Sequence, residues 1–240
     1  MAGKYNAYPE YRDSGTDWLG SLPAHWKVYP TKRFFRLAAE PAKPNNDHEL
    51  LSVYTDIGVR PRKELEQKGN KASTTDGYWL VKKGDIIVNK LLAWMGAIGH
   101  SAYDGVTSPA YDILRQTKPF DPVFYHYLFR NKIAQQEFKR WSRGIMEMRL
   151  RLYFEELGRI AMPFPPEAEI KQIARFLDHE TGKIDLLIEK QQELIALLKE
   201  KRQAVISHAV TKGLNPQAPL KDSGIEWLGQ VPEHWKCIPV

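Results

Sequence analysis

The stretch IARFLDHETGKIDLLIEKQQELIALL, residues 173–198, decides the fold of this chain. Its regularly spaced residues, most of them apolar, recur at alternating intervals of four and three, the heptad pattern of a helix that pairs with another helix. Two members of this seam are polar, which lowers stability but favours one register and one partner. The seam consists of Ile173, Leu177, Glu180, Ile184, Leu187, Gln191, Leu194 and Leu198.

The helix around this seam is predicted to be very long. No proline occurs from Glu167 to Thr211, whereas Pro163–Pro166 forms a rigid break before it. Gly213, followed by Pro216, is a typical C-terminal stop. At 1.5 Å per residue the helix would extend on the order of 65 Å. Its seam therefore needs another helix alongside it; packing along the chain's own globular domain is the alternative.

The segment DSGTDWLGSLPAHW at residues 13–26 recurs as DSGIEWLGQVPEHW at residues 222–235. Nine of the fourteen aligned positions are identical, and the offset is 209 residues. Solenoid units are about 20–50 residues long, so this offset indicates a repeat of whole domains. The predicted parts are a globular domain at residues 1–162, the long helix at 163–213 and the start of a second repeat at 214–240.

The repeated segment is interpreted as a docking element without catalytic residues. Trp18 and Trp26 are expected to attach it to a core, because indole rings bury large apolar areas. Ser14-Gly15 and Leu22-Pro23 are typical of turns. His25 is expected to be a hydrogen-bonded packing residue, since no second ligand stands at metal-binding spacing.

The sequence between the first motif and the long helix mixes short strands with a helix. Asp121 followed by Pro122 predicts a helix start, with the helix extending to about residue 141. A closing strand is predicted at 159–162. The expected fold class is therefore mixed α/β (α+β), followed by the long coiled-coil helix. Three runs rich in β-branched residues predict the other strands, at residues 50–55, 85–89 and 110–114.

Composition narrows the possible partners and compartments. The 35 Lys and Arg residues exceed the 29 Asp and Glu residues, giving a formal charge of +6 that weakly favours a polyanionic partner. The single cysteine, Cys237, excludes an intrachain disulfide and a four-cysteine zinc site. The N-terminus has no apolar core of a signal peptide, and no apolar run is long enough to span a membrane. A cytoplasmic protein is expected.

Sequence signatures of DNA-modifying or ATP-driven enzymes are missing. The closest match to the (D/N)-P-P-(Y/F) loop of adenine methyltransferases is 121–124, DPVF, which lacks the second proline. No G-x-G cofactor loop and no phosphate-binding P-loop are present. No cluster of carboxylates with a lysine suggests a nuclease. We therefore predict no catalytic residue, no metal ligand and no cofactor site.

Two basic segments are candidates for nucleic-acid contact, since Lys and Arg bind phosphates while Arg and Asn also reach base edges. Both could instead be ordinary solvated loops, and in the second Arg149 or Arg151 could pair with Glu155 or Glu156. The candidates in the first segment are Arg60, Arg62, Lys63, Lys68, Asn70 and Lys71. Those in the second are Arg140, Arg143, Arg149 and Arg151.

Over nearly its whole length the chain resembles the specificity (S) subunit of type I restriction–modification systems. The resemblance is carried by long combinations in the right order, which are more specific than a short motif. They are the segment at 13–26, the stretch from Trp94-Met95-Gly96 to Ser108-Pro109-Ala110-Tyr111, and helix residues 174–181 and 199–214.

The resemblance implies a non-catalytic, DNA-binding subunit. Residues 1–162 would be a target recognition domain, and the long helix would pair antiparallel with a second one, holding two recognition domains on a split DNA sequence. The partners would be double-stranded DNA, DNA methyltransferase (M) subunits and a motor-nuclease (R) subunit. S-adenosylmethionine, ATP and Mg would belong to those subunits, whose products are N6-methyladenine or cleaved unmodified DNA.

The chain departs from this pattern by containing one recognition domain and one helix, so it would be a truncated product or a natural half-length subunit. We expect it to form a homodimer through its helix. Two alternatives from other classes are a self-contained DNA-modifying enzyme and a coiled-coil scaffold without a DNA role.

Overall fold

A computed structural model describes residues 7–65, 75–146 and 149–238, and the structural statements below refer to these ranges. It divides into two compact units, Met1–Leu177 and Asp178–Val240, with the boundary inside the long helix. The strands are β1 Tyr11–Asp13, β2 Ser21–Pro23, β3 Lys27–Pro30, β4 Phe35–Leu37, β5 Leu51–Tyr54, β6 Gly58–Pro61, β7 Trp79–Val81, β8 Ile86–Asn89, β9 Ile98–His100, β10 Gly105–Thr107, β11 Tyr111–Gln116, β12 Ala161–Phe164, β13 Leu220–Asp222 and β14 Gln230–Pro232. The helices are α1 Arg62–Leu65, α2 Val123–Arg130, α3 Lys132–Trp141, α4 Phe154–Leu157 and α5 Glu167–Lys212.

Strand β8 is the centre of the first unit. It lies in an antiparallel sheet of order β4-β11-β8-β9, and all four of its residues are buried. Successive side chains of a strand point to opposite faces, so Ile86 and Val88 enter one apolar cluster while Ile87 enters another. Burial on both faces explains why the strand is a continuous apolar run. The strands predicted at 50–55, 85–89 and 110–114 are confirmed by β5, β8 and β11.

One face of this sheet packs against an aromatic cluster. The rings of Phe35 and Phe120 contact Tyr125 edge-on, at centroid distances of 5.4 and 5.3 Å. The buried hydroxyl of Tyr125 donates to the Pro163 carbonyl at 3.0 Å, and burial raises the pKa of this phenol. The aromatic core is therefore joined directly to β12, the strand that precedes the long helix.

The helix predicted from 123 to 141 is two helices, so that prediction was wrong in its continuity. Asn131 has extended backbone angles, φ −76° and ψ 157°, and separates α2 from α3. Its side-chain oxygen accepts a hydrogen bond from Ala134 N at 2.9 Å, which caps α3. Asp121 does act at the start of α2, accepting from Val123 N at 3.0 Å.

The predicted long helix is confirmed as α5, which contains 46 residues. At 1.5 Å per residue it is about 70 Å long. Gly213 follows it with a φ of +75°, the left-handed conformation in which glycine ends helices at little cost. The chain is thus mixed α/β, with a long helix after a sheet-rich domain.

Arg130, at the end of α2, holds two turns of the first unit together. Its guanidinium donates to the carbonyl oxygens of Tyr54 at 3.2 Å and Asp56 at 2.6 Å, in the turn between β5 and β6. It also donates to Gly96 O at 3.0 Å, in the turn before β9. Carbonyl groups from these two segments therefore share one cation as their hydrogen-bond donor.

His126 lies one helical turn before Arg130 and is wedged between two glycines. A Cβ atom added to Gly58 would lie 2.9 Å from His126 Cε1, and one on Gly99 would lie 3.0 Å from Nδ1. Burial, reinforced by the charge of Arg130, lowers the pKa of His126 from 6.5 to about 3. The imidazole is therefore neutral in the folded protein at neutral pH.

We predict that His126 makes the fold sensitive to acid. The unfolded chain binds a proton at this residue below pH 6.5, whereas the folded chain binds it only near pH 3. Stability is thus unaffected above pH 6.5 and falls as the pH is lowered from 6.5 towards 3. Two pH units below 6.5, this residue should cost the fold roughly 3 kcal/mol. Urea unfolding at pH 7 and pH 4.5 measures the loss.

His126→Gln should lower stability at pH 7 but reduce the difference between the two pH values. The exposed His48 provides the control, since His48→Gln should leave the pH dependence of the wild type unchanged. An equal pH dependence in the two variants would contradict the assignment.

Candidate nucleic-acid interface and docking surfaces

The first basic segment begins with a strand and a short helix, so the alternative of a solvated loop does not hold for residues 60–63. Arg60 is exposed on β6, which pairs with β5, and Arg62 and Lys63 open helix α1. The Lys63 ammonium pairs with Glu49, which makes it less available to a phosphate. The remaining candidates, which lie outside the described residues, are Lys68, Asn70 and Lys71.

The second basic segment is a turn closed by main-chain hydrogen bonds. Arg143 and Arg151 each donate their N–H to the other's carbonyl oxygen at 2.9 Å. Gly144 has a φ of +154°, and a Cβ there would lie 2.5 Å from Arg149 O, so this position requires glycine. Ile145, beside it, is 96% exposed. The turn therefore extends into solvent from a closed base.

Two buried carboxylates lie at the base of this turn. Glu137 accepts a hydrogen bond from Trp141 Nε1 at 2.7 Å, and its carboxylate lies 3.8 Å from the Arg140 guanidinium. Glu156 pairs with Arg143. The alternative in which Arg149 or Arg151 pairs with Glu156 is not observed, because the turn brings Arg143 to that carboxylate. Arg149 is exposed and has no ion pair among the described residues.

A cleft of about 650 Å³ opens beside these carboxylates. Its lining includes the side chains of Arg140, Arg143 and Arg159, together with the indoles of Trp18 and Trp141. Guanidinium groups bind phosphates and stack on planar rings, and indoles stack on bases. The cleft thus combines two chemical features that nucleic-acid surfaces use.

The first copy of the repeated motif is attached to α5 through one carboxylate. Glu169, in the first turn of the helix, accepts from Tyr8 Oη at 2.9 Å and from Trp26 Nε1 at 2.9 Å. Its other oxygen lies 2.6 Å from His25 Nε2. Partial burial alone would raise the pKa of Glu169, but these hydrogen bonds outweigh it and lower the pKa. His25 is thus a hydrogen-bonded packing residue, as predicted.

A second attachment lies on the strand before the helix. Trp18 Nε1 donates to Ala161 O, in β12, at 3.2 Å. Trp18 and Trp26 also pack against the aromatic cluster, so their predicted anchoring role is confirmed. Leu22-Pro23 lies in strand β2 and pairs with β1, which corrects the prediction of a turn there.

The second copy of the motif folds into the same hairpin. Strand β13 pairs with β14 in the register of β1 with β2, so that Asp222 faces Gln230 as Asp13 faces Ser21. The turns also agree: Ser14 N donates to Gly20 O at 2.9 Å, and Ser223 N donates to Gly229 O at 3.0 Å. The sequence repeat is therefore a structural repeat.

The two hairpins differ in what their side chains contact. Trp227, the counterpart of Trp18, is 82% exposed. Among the described residues no hydrogen-bond partner is available to the side chains of Trp227, His234 or Trp235. The second hairpin therefore presents the donors that the first one uses for docking.

The seam of α5 changes from half-buried to exposed along the helix. Ile173, Leu177 and Glu180 are half-buried, and the later members are exposed. A second set of apolar side chains on the helix lies outside the seam, and each is about half exposed: Leu186, Ile188, Ile195 and Leu197. The exposed members of the seam are Ile184, Leu187, Gln191, Leu194 and Leu198.

The described ranges contain no group of three or more His, Cys, Asp or Glu side chains arranged to hold a metal ion. None of their helices is long and apolar enough to cross a bilayer.

No protein-family model matches the sequence. The fold matches solved structures of type I restriction–modification proteins. One, from work on complex assembly and conformational transition of the type I R-M system, aligns with 85% of this chain and 49% of the other, at 17% identity and a TM-score of 0.59. The HsdS subunit of Thermoanaerobacter tengcongensis aligns with 84% of this chain and 53% of its own, at 15% identity and a TM-score of 0.50.

This chain therefore spans about half the length of the structures that it matches. The fold expected from the sequence resemblance is confirmed.

We predict that Glu169 is the main polar attachment of the first hairpin. Glu169→Ala leaves the donors of Tyr8, His25 and Trp26 without their acceptor, which should cost roughly 1–2 kcal/mol of unfolding free energy. Glu167→Ala is the matched control on the same helical turn, because Glu167 has only an exposed pair with Lys171. It should cost less than about 0.5 kcal/mol. Equal losses in urea unfolding would contradict the role of Glu169.

Proposed function

We propose that this chain is the DNA sequence-recognition subunit of a type I restriction–modification complex. The observation that carries the proposal is the shared fold, a sheet-rich domain followed by one long helix, over 84% of the chain. Residues 1–162 serve as the target recognition domain and bind one half of a bipartite DNA target. Helix α5, Glu167–Lys212, sets the second recognition domain at its distance.

The proposed subunit is non-catalytic. The sequence lacks a methyltransferase tetrapeptide, a cofactor loop and a P-loop, as its comparison with those motifs shows. Methyl transfer from S-adenosylmethionine is assigned to M subunits, and ATP- and Mg-dependent translocation and cleavage to an R subunit. Such a complex acts on cytoplasmic DNA.

A homodimer through α5 would bring together two recognition domains, one for each half of the bipartite DNA target. The seam from Ile184 to Leu198 is exposed, and apolar surface of this kind is covered in stable coiled coils by a second helix. In an antiparallel pair, two identical domains are related by a two-fold axis and read two inverted copies of one half-site. The target is then an interrupted palindrome.

The apolar side chains outside the seam support a further helical partner. A two-helix pair covers the a and d positions of the heptad and leaves flanking positions in water. Ile188 and Ile195 occupy flanking positions and are about half exposed. Helices of the M subunit are proposed to cover them.

The proposed DNA contacts differ in availability. Arg60 and Arg149 are exposed and have no ion pair among the described residues, so they are the first choices for phosphate contact. Arg140 and Arg143 share their charge with buried carboxylates, so they are proposed to position the turn as well as to bind. The remaining proposed contacts are Arg62, Lys63, Lys68, Asn70, Lys71 and Arg151.

We predict that charge in the seam abolishes dimerisation without unfolding the recognition domain. Leu187→Asp with Leu194→Asp places carboxylates where the partner helix would exclude water, and removing a carboxylate from water is strongly unfavourable. Light scattering should change from dimer to monomer, while thermal unfolding of the sheet domain stays within a few degrees of the wild type.

The control is Gln192→Asp with Ala196→Asp, on the opposite side of the helix, which should remain dimeric. A wild-type monomer at micromolar concentration, with or without the M subunit, would refute the dimer. Simultaneous loss of dimer and sheet domain in one transition would refute their independence.

The decisive test of function is co-expression with a type I M subunit, followed by mapping of N6-methyladenine across the DNA. We expect methylation at one interrupted palindrome, which depends on this chain. An asymmetric target would contradict the homodimer, and methylation that is independent of the chain would contradict sequence recognition. Methyl transfer by the purified chain alone would instead indicate a self-contained enzyme.

The basic residues can be tested on the same complex by binding at several salt concentrations. Arg60→Gln with Arg149→Gln should weaken binding and reduce the salt slope by about 4, because each of the two copies in the homodimer loses two phosphate contacts. Lys171→Gln, outside both basic segments, should leave the slope unchanged. Binding without salt dependence would favour a scaffold that has no DNA role.

A further inference from the structure

The second hairpin, residues 220–236, retains the docking chemistry of the first. Trp227, His234 and Trp235 stand where Trp18, His25 and Trp26 stand in the first copy. In the first copy, these three side chains bind one carbonyl and one carboxylate, on β12 and α5. In the second copy they have no such partner within the described residues.

The apolar side of the second hairpin packs against other residues of its own unit. Val231 is only 1% exposed, and a Cβ on Gly213 would contact Pro232 and Trp235 at 3.6 Å. The hairpin is therefore a formed element at the end of the long helix. The exposed Trp227 and His234 side chains remain available for a second contact.

The first hairpin identifies the surface that fits these side chains. That surface consists of the Ala161 carbonyl and the Glu169 carboxylate, which accept hydrogen bonds from indole and imidazole groups. The third donor to Glu169, the Tyr8 hydroxyl, corresponds to Gln217 at the offset of 209 residues, and a glutamine amide can also donate to a carboxylate. The donor set of the second hairpin is thus complete.

The two residues after the second hairpin also correspond to residues that contact β12 in the first unit. Lys236 and Cys237 correspond to Lys27 and Val28, which belong to β3. Strand β3 pairs antiparallel with β12, and Val28 faces Pro163. A second hairpin on this surface would therefore carry Cys237 to the position opposite Pro163.

We propose that the second hairpin and the two residues after it, Lys236 and Cys237, dock on the Ala161–Glu169 surface of a second protomer, replacing that protomer's first hairpin and the start of its strand β3. This inference rests on the proposed homodimer. In an antiparallel pair the end of one helix lies beside the start of the other, which is where Glu169 is located. Exchange of equivalent elements between protomers requires no new type of contact, because the second hairpin repeats the sequence and the strand register of the first hairpin.

The native cysteine provides a direct test through the variant Pro163→Cys. Residues that face each other in an antiparallel pair have Cα atoms about 4.5–5.5 Å apart, within the range that a disulfide bridges. Mild oxidation, which removes two protons and two electrons from the thiols, should give a covalent dimer on non-reducing gels. Ala161→Cys, two residues away on β12, should give a several-fold lower yield, and Cys237→Ser should abolish the product.

Weakening the first hairpin and weakening the second hairpin should have opposite effects on the yield of covalent dimer. Trp18→Ala with Trp26→Ala frees the surface and should raise the covalent dimer several-fold. Trp227→Ala with Trp235→Ala removes the competing hairpin and should lower it several-fold. Equal effects of the two double variants would overturn the exchange.

A measurement on the unmodified chain covers the case in which Pro163→Cys fails to fold. Cys237 is exposed, so its alkylation should slow several-fold when the concentration rises through the dimerisation range. A constant rate, or a disulfide within one chain, would overturn docking on a second copy. A dimer by light scattering that shows neither disulfide nor protection would overturn this inference alone and leave the proposed dimer intact.

Discussion

Apolar side chains along a helix of 46 residues cannot be removed from water by that helix alone. From Ile184 onwards the seam of α5 is exposed, because the sheet-rich unit includes the helix only as far as Leu177. Fully burying a large apolar side chain contributes roughly 1.5–3 kcal/mol, so each of these half-exposed side chains forgoes about half of that. This constraint leaves the helical part of the second unit with a large exposed apolar surface, while the first unit has its own core.

The first unit, in contrast, buries its large apolar side chains within its own fold. Strand β8 is buried on both faces, and aromatic rings fill the space between the sheet and α2. The Tyr125 hydroxyl and the Trp18 indole both bind carbonyls of β12, immediately before the long helix. Glu169 then fixes the first hairpin at the start of that helix. Core, hairpin and helix are therefore joined within a few residues of one another.

Features with a local cause were predictable from the sequence. The absence of proline, the break at Pro163–Pro166 and the glycine at 213 determine the bounds of α5, and β-branched runs identify the strands. The break at Asn131 was missed because apolar residues continue past it. Only the hydrogen bond from Ala134 N to the Asn131 side chain shows that a new helix, α3, begins there. The Arg143–Glu156 pair and the contacts of Arg130 join residues far apart in sequence. No spacing rule predicts them.

In the turn between Arg143 and Arg151, the backbone determines the shape and the side chains at the tip determine the surface chemistry. Main-chain bonds and the conformation of Gly144 close its base, and neither depends on the side chains at the tip. Substitutions at Ile145 therefore leave the closure and the core intact, since this side chain is 96% exposed. Natural variation can accumulate at such a tip without loss of folding. The architecture thus permits the surface chemistry at Ile145 to change while the scaffold beneath it stays constant.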